Sequence, residues 1–300
     1  MNNQDNEKVF QKSQINWYPG HMAKTRREIE QDLKLIDVVI ELLDARIPLS
    51  SRNPEIKKIT NNKKKIIILN KSDMADEEMT KKWVAALSKE AKVLVTDANS
   101  GKGIEKVSKA IDEIMKDEVE KQKARGIKNK TIRVMILGIP NVGKSSFINR
   151  ISKKSALVVG NRPGVTRQKQ WIRIGNNQEL LDTPGVLWPK FESNEVALNL
   201  AFTGSIKDDL LEIVDIAYDF LKLNFEKHKE KFVNRYNLTP DELNEVENDS
   251  NKFYAIMKLI GRKRGALLKG NEVDDEKTAR LILDDFRSTK LGRITLEEPK

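Results

Sequence analysis

The sequence contains no cysteine, and this absence excludes disulfide bonds and thiolate metal sites. It also lacks any apolar run close to the roughly 20 residues that a membrane-spanning helix needs. Residues 1–14 are polar and lack the apolar segment of a signal peptide. A length of 300 residues is typical of about two domains. Charged residues make up 33% of the chain, which is typical of a soluble protein. We therefore expect a cytoplasmic protein without a membrane partner.

Acidic residues are missing from one long stretch of the chain. The formal net charge is +10, and residues 121–178 contain 14 Lys and Arg but no Asp or Glu. One small anionic ligand needs only a few cations, so this acid-free tract favours a polyanionic partner such as RNA. The alternative is a solvated surface in a lysine-rich proteome.

The segment Gly138-Ile-Pro-Asn-Val-Gly-Lys-Ser145 fits the pattern G-x-x-x-x-G-K-[ST] of a phosphate-binding loop. It follows an apolar, β-rich run (132–137) and precedes a predicted helix (145–151), which is the context that the motif requires. In such a loop, backbone N–H groups surround phosphate oxygens and the helix N-terminus adds a positive dipole end. We expect Lys144 to reach the β- and γ-phosphates and the Ser145 hydroxyl to bind Mg²⁺.

A second motif, Asn70-Lys-Ser-Asp73, follows a predicted strand and fits N-K-x-D. The Asp73 carboxylate can accept hydrogen bonds from guanine N1–H and N2–H₂ together, whereas adenine would leave a buried charge unpaired. The Asn70 side chain would either bond the major-groove edge of guanine or hold the loop. Thr96-Asp-Ala-Asn99 is a weaker match to the loop that backs the base, where the Ala98 N–H would bond guanine O6.

A third motif, Asp182-Thr-Pro-Gly185, follows another predicted strand and fits D-x-x-G. Asp182 would hold the Mg²⁺ shell through water, and the Gly185 N–H would sense the γ-phosphate. The alternative is an ordinary turn after a strand. Thr166 lies between the phosphate loop and this motif, where a Mg²⁺-binding switch threonine is expected.

Strands alternate with helices through the first two thirds of the chain, which predicts an α/β fold with a doubly wound, mainly parallel sheet. The base motifs precede the phosphate loop, so the motif order is circularly permuted. A sheet whose termini lie close together can be cut and rejoined in this way. We predict a circularly permuted nucleotide domain over 1–192 and an all-α domain over 193–300. The predicted helices of the second domain are 194–203, 207–223, 241–247, 251–261 and 275–289.

Together these segments resemble the circularly permuted GTPases of the ribosome biogenesis GTPase A (YlqF/RbgA) family. Besides the motifs above, the resemblance includes Trp17-Tyr-Pro-Gly-His-Met22, Asp44-Ala-Arg-Ile-Pro48 and Pro163-Gly-Val-Thr166. It covers almost all of the chain, although residues beyond about 205 match mainly in helical character. The resemblance implies a P-loop GTPase fold, GTP hydrolysis and a role in late assembly of the large ribosomal subunit. It also implies that the helical domain over 193–300 binds RNA or the ribosome.

The position after D-x-x-G, where many GTPases carry the glutamine that orients the attacking water, is Val186. Valine cannot hydrogen-bond water, so another group must do so, and our candidate is His21. Alternatively, His21 contacts RNA or orders the aromatic turn. The resemblance also points to His21, and it implies K⁺ binding through Asn141 of the phosphate loop.

The candidate site residues fall into three groups. The catalytic candidates are His21 and Lys144. The candidate Mg²⁺ ligands are Ser145, Thr166 and, through water, Asp182, and the candidate K⁺ ligand is Asn141. The nucleotide-binding candidates occupy the motifs described above: Asn70, Lys71, Asp73, Asp97, Ala98, Asn141, Val142, Gly143, Lys144, Ser145, Ser146, Thr166 and Gly185.

The sequence therefore predicts a GTP-hydrolysing switch that acts on the large ribosomal subunit precursor and its rRNA. Hydrolysis is expected to be slow without the particle. The alternative is an RNA-binding GTPase with a non-ribosomal target such as tRNA. A non-hydrolysing nucleotide-binding module is disfavoured by the intact Lys144, Ser145 and D-x-x-G. We expect no DNA partner.

Overall fold

The computed structural model describes residues 22–127, 130–152, 171–175, 177–183, 185, 187, 191 and 193–299. They form two compact units. The first holds the described residues between 22 and 191 together with 204–207 and 292–299. The second holds 193–203 and 208–291. The division at residue 192 stays a prediction, and in the structure the segment 292–299 is grouped with the first unit.

The first unit is built on a six-stranded sheet with the order β3-β2-β1-β4-β6-β5. All neighbouring strands are parallel except β5 and β6, which are antiparallel. The strands are β1 (Val38–Asp44), β2 (Lys64–Asn70), β3 (Lys92–Val95), β4 (Ile132–Leu137), β5 (Trp171–Arg173) and β6 (Gln178–Asp182). The mainly parallel, doubly wound sheet that the sequence predicts is confirmed.

Strand β1 forms the centre of the core because all seven of its residues are buried. A strand buried on both faces reads as a continuous apolar run, which is the pattern of this segment. Val39 and Leu43, on the same face, belong to two apolar clusters. Between them the Glu41 carboxylate is buried against Arg52, with both hydrogen bonds at 3.0 Å.

Among the described residues, helix α1 (Met22–Leu33) precedes β1, and four helices lie between successive strands: α2 (Pro54–Ile59), α3 (Glu77–Leu87), α4 (Glu105–Ala124) and α5 (Lys144–Ile151). Helices α1 and α2 bury Ile29, Leu33 and Ile56 in the Val39 cluster. Helix α3 buries Trp83 and Leu87 in the Leu43 cluster. Burial of each such side chain contributes about 1.5–3 kcal/mol.

The second unit is helical. It contains α6 (Asn194–Phe202), a 3₁₀ turn (Asp208–Leu210), α7 (Ile213–Asn224), α8 (Lys229–Tyr236), α9 (Pro240–Glu247), α10 (Lys252–Lys263) and α11 (Asp275–Arg287). Its core is aromatic. The Phe220 ring lies 5.2 Å from the Phe202 ring and 4.9 Å from the Phe286 ring, and Phe232 and Tyr236 extend the cluster along α8. Such ring pairs add about 0.5–1.5 kcal/mol each beyond their buried area.

Two helix predictions in the second unit were wrong. The predicted helix 207–223 is divided into the 3₁₀ turn and α7, because Asp208 is held by the Arg287 guanidinium in hydrogen bonds of 2.8 and 2.9 Å. The same guanidinium donates to the carbonyls of Ala201 and Phe202 at the end of α6. Helix α8 was not predicted at all, since its apolar face is reduced to Phe232 and Tyr236 within a charged run.

None of the helices in the described part of the chain is long and apolar enough to cross a membrane.

Candidate guanine-nucleotide site

The phosphate loop lies between the end of β4 and the start of α5. Gly143 has a φ of +96°, and a Cβ there would lie 2.5 Å from the Asn70 Nδ2. A Cβ at Gly138 would lie 2.6 Å from the carbonyl oxygen of Leu42. Both positions therefore require glycine, because the loop passes directly against the ends of two neighbouring strands.

Lys144 is 8% exposed and donates to the carbonyls of Gly138 and Ile139, at 3.0 and 2.9 Å. Its ammonium group thus lies inside the loop. Gly185 of the D-x-x-G motif is next to it, since a Cβ there would lie 2.7 Å from the Lys144 Nζ and 2.9 Å from the Pro140 backbone. The structure therefore brings together the two groups that the sequence assigned to the γ-phosphate. Ser145 and Ser146 follow in the first turn of α5 and are half-buried.

The Asn70 side chain ties three loops together. Its Nδ2 donates to the Val142 carbonyl at 2.9 Å, and its Oδ1 accepts from Thr96 Oγ1 at 3.0 Å and from the Ala98 N–H at 3.2 Å. Of the two roles left open by the sequence, the geometry matches the one in which Asn70 holds the loop. Because the Ala98 N–H donates to Asn70, its assignment to guanine O6 stays a prediction.

Asp73 lies three residues further along the same loop and is half-buried. Its Oδ1 is buried and has no hydrogen-bond partner among the described residues. Burial, and then the nearby Asp97, raise the pKa of this carboxyl. An acceptor left unpaired in this way fits a ligand that supplies N–H donors, as the guanine edge does.

Asp97 shapes the neighbouring loop. Its carboxylate accepts from the backbone N–H groups of Asn99 and Ser100, at 2.8 and 3.2 Å. Burial alone would raise the pKa of Asp97, but the hydrogen bonds from Ser100 and Asn99 outweigh it and lower the pKa. Asp97 therefore fixes the turn that carries Ala98.

Lys71 connects the loop that carries the Asn70–Asp73 motif to the phosphate loop. Its Nζ donates to the Asn141 carbonyl at 2.5 Å and lies 3.0 Å from Asp44 Oδ2. Asp44, at the end of β1, also accepts from Arg46 Nε and Nη2, at 2.9 and 2.7 Å. Burial opposes its ionisation, yet Arg46 and Lys71 hold the pKa of Asp44 well below its usual range. The sequence analysis missed Asp44 and Arg46 as site residues. The available signal was a carboxylate at the end of a predicted strand, with an arginine two residues later.

Comparison with known proteins identifies the family of this chain. A family model described as 50S ribosome-binding GTPase matches residues 133–253. The ribosome biogenesis GTPase A of Bacillus cereus is 45% identical over 287 residues, covering 95% of this chain and 94% of that protein. The chain belongs to the ribosome biogenesis GTPase A family.

Two solved structures are similar over nearly their whole length. The GDP-bound structure of TM YlqF has a TM-score of 0.62 and 29% identity, covering 91% of this chain and 99% of that one. The GNP-bound YlqF from T. maritima has a TM-score of 0.62 and 28% identity, with 92% and 99% covered. As a member of this family the chain is a GTPase that binds guanine nucleotide, with Mg²⁺ as its typical companion ion.

Two of the predicted Mg²⁺ ligands can be placed by their position on the sheet. The described residues contain no group of three or more His, Asp or Glu that would form a metal cage. Mg²⁺ is commonly held by one or two protein oxygens together with phosphates and water. Ser145 lies in the first turn of α5, directly after the loop that follows β4, and Asp182 ends β6 beside Ile136 of β4, so both lie at the same edge of the sheet.

Asn141 has an αL backbone, with φ +58°, and its Nδ2 donates to the Gly204 carbonyl at 2.6 Å. This bond engages the amide nitrogen as a donor. The amide oxygen is therefore the atom of Asn141 that would bind K⁺, because K⁺ takes oxygen ligands. His21, Thr166 and Val186 lie outside the described residues, as does the side chain of Asp182. Their roles in catalysis and Mg²⁺ binding stay predictions.

Proposed function

We propose that this protein is a GTP-hydrolysing switch that binds the precursor of the large ribosomal subunit and promotes its late assembly. In this proposal the ribosomal particle stimulates hydrolysis, and the protein acts in the cytoplasm. The observation that carries the nucleotide part is the buried, unpartnered Oδ1 of Asp73. It lies in a loop that Asn70 and Lys71 join to the phosphate loop.

The names of the relatives support the ribosomal part of the proposal, since they are ribosome biogenesis GTPases. The description of the matching family as a 50S ribosome-binding GTPase supports the large subunit as the target.

The second unit offers a surface for rRNA. A cavity of about 370 Å³ is lined by five cations, two carboxylates and one leucine: Arg235, Arg264, Lys277, Arg280, Lys290, Asp284, Asp285 and Leu281. Arg235 is engaged by Asp285 in two hydrogen bonds of 2.9 Å. Lys277 and Arg264 are exposed. Although residues 205–300 carry 20 acidic and 18 basic side chains, this basic cavity has a local excess of positive charge that suits RNA phosphates.

The proposal expects slow hydrolysis by the isolated protein, because Val186 cannot orient water. In this proposal His21 orients the water, and Ser145, Thr166 and Asp182 hold Mg²⁺, the last through a water molecule. K⁺ at Asn141 supplies positive charge near the transferred phosphate. Turnover measured in KCl and in NaCl at equal ionic strength tests the K⁺ part, and equal rates in both salts would remove it.

The central experiment is sedimentation of the protein with purified ribosomal subunits, in GDP or in a non-hydrolysable GTP analogue. We expect nucleotide-dependent binding to the large subunit or its precursor, and faster turnover with that particle. Binding to neither subunit, but to tRNA, would favour the alternative target that the acid-free tract leaves open.

The basic cavity is tested by the double variant Arg264→Glu, Lys277→Glu. We expect weaker binding to the particle, with the slope of log K against log salt reduced by about one per lost phosphate contact. The double variant Lys227→Glu, Lys229→Glu makes the same charge change at exposed positions that do not line the cavity, and it serves as the control. Equal losses in both variants would argue against a specific contribution of the cavity.

A further inference from the structure

After α11 the chain contributes residues 292–299, here called the return segment, to the unit that holds the nucleotide site. The Ile294 N–H donates to the Met74 carbonyl at 3.1 Å, directly after the Asn70–Asp73 motif. Thr295 Oγ1 accepts from the Asp76 N–H at 3.0 Å. The return segment thus holds the chain that leaves the guanine-recognition motif.

The return segment also holds the loop 45–51, which follows β1. The Leu296 N–H donates to the Arg46 carbonyl at 2.8 Å. The carboxylate of Glu297 accepts from the backbone N–H groups of Leu49 and Ser50, at 2.7 and 2.9 Å, and from the Ser50 hydroxyl. Glu297 is only 8% exposed, so these donors replace the water that its charge has lost.

A third contact joins the segment to the neighbouring helix. Trp83, on α3, donates its Nε1–H to the Glu297 carbonyl at 3.0 Å. The side chain of Glu297 is thus fixed on the loop 45–51 while its backbone is fixed on α3. Helix α3 begins right after the Asn70–Asp73 motif. Glu297 therefore joins the loop 45–51 to the helix that follows this motif.

From the loop 45–51, polar contacts continue to the phosphate loop. Arg46, whose carbonyl accepts from the return segment, binds Asp44 through its guanidinium. Asp44 binds Lys71, and Lys71 donates to the Asn141 carbonyl. Arg46 and Asp44 are each 1% exposed, so a displaced group cannot be replaced readily by water. Displacement of Arg46 would therefore move the Lys71 ammonium and the backbone of the phosphate loop.

We propose that the return segment is a positioning element of the nucleotide site, and that Glu297 is its principal positioning residue. It sets how long guanine nucleotide stays bound and how strictly guanine is selected. Glu297 acts through the loop 45–51 and α3, without touching the nucleotide. This role is independent of the ribosomal target, because it concerns nucleotide binding by the isolated protein.

The test compares Glu297→Ala with Glu298→Ala, which removes the neighbouring, exposed carboxylate. We expect Glu297→Ala to release a fluorescent GDP analogue about tenfold faster, since the buried Ser50 N–H and the part-buried Leu49 N–H lose their acceptor. We also expect a smaller ratio of GTP to ITP affinity. ITP lacks the N2 amine, so this ratio measures how well Asp73 is placed.

A purely structural role would lower the melting temperature of Glu297→Ala without changing the ratio of GTP to ITP affinity. Release rates and affinity ratios equal to those of Glu298→Ala would overturn the proposal. Thr295→Val, which removes only the acceptor for the Asp76 N–H, provides a milder variant if Glu297→Ala does not fold. We expect Thr295→Val to raise the release rate of the GDP analogue and to lower the ratio of GTP to ITP affinity, each by a smaller factor than Glu297→Ala.

The thermodynamic coupling between nucleotide binding and the return segment provides a second test, which uses the unaltered protein. If the return segment stabilises the bound state, nucleotide must stabilise the return segment by the same free energy. We expect GDP to slow hydrogen exchange at the backbone amides of Ser50 and Leu296. Exchange rates at these amides that are unaffected by GDP would contradict the proposal.

Discussion

The Nδ2 of Asn70 donates to the carbonyl oxygen of Val142 at 2.9 Å, and this bond joins residues 72 positions apart in the chain. It ties the loop that selects the base to the loop that binds phosphates. The permuted chain order therefore leaves the two halves of the nucleotide site attached to each other through a side chain.

Replacement of Asn70 by alanine should weaken nucleotide binding. The change removes three hydrogen bonds and leaves the buried Thr96 hydroxyl and the Ala98 N–H without their acceptor. Each unsatisfied buried group costs about 1–3 kcal/mol, so we expect GDP affinity to fall about tenfold or more. Titration calorimetry measures this loss. Asn61→Ala, at an exposed position, should leave affinity unchanged.

Asp44→Asn should lower the free energy of unfolding by about 3 kcal/mol at pH 7, because Arg46 and Lys71 lose the charge that compensates them. The control is Asp117→Asn, at an exposed position on α4. A loss no larger than that of the control would show that the buried ion pairs contribute little.

The same variant should change how stability depends on pH. The folded pKa of Asp44 is depressed below its ordinary value of 3.8. Its stabilising contribution is therefore complete above that value and is lost as pH falls through it towards the folded pKa. Urea unfolding from pH 7 to pH 3 should show a steeper loss below about pH 4 in the wild type than in Asp44→Asn. Parallel curves would contradict the assignment.

Gly143→Ala and Gly126→Ala separate backbone strain from steric contact. Both glycines have positive φ, +96° and +89°, so both substitutions strain the backbone by a similar amount. Only at Gly143 would the new Cβ meet another group, the Asn70 Nδ2; at Gly126 nothing lies within 4 Å. We expect Gly143→Ala to abolish GDP binding, and Gly126→Ala to retain it with about 1 kcal/mol less stability. Similar GDP affinities would mean that the phosphate loop adapts.

His21→Ala should reduce GTP turnover on ribosomal particles while GTP affinity stays nearly constant, because the predicted role is to orient water rather than to bind nucleotide. Single-turnover kinetics with the particle measures this effect. His228→Ala, which alters the other histidine of the chain, is the control. A turnover rate equal to that of the control would remove His21 from the mechanism.

The sheet could be predicted from the sequence because its parallel strands are short apolar runs that are each followed by a recognisable motif. The strand predicted before Asn70-Lys-Ser-Asp73 is Lys64–Asn70 in the structure, and the predicted run 132–137 is matched at both ends. Gly185 and Lys144 could be assigned to one site because their motifs follow strands that pair directly, β6 and β4.

The features that could not be predicted depend on contacts between residues that are far apart in the chain. No local pattern indicates that Glu297 binds Ser50, 247 positions earlier, or that the Asp44 carboxylate faces Lys71. Helix α8 was missed because its position depends on Phe232 packing against Phe220 and Phe225, which no local pattern displays.

Translation proceeds from the N-terminus, so residues 292–299 are made after every residue of the helical unit. A nascent chain that still lacks them already carries Asp73 and Lys144, but its loop 45–51 has neither the Leu296 N–H nor the Glu297 carboxylate. On the inference drawn above, firm retention of nucleotide begins only after these residues have left the ribosome that makes the chain. The order of synthesis would thereby shorten the time for which an incomplete protein holds a nucleotide.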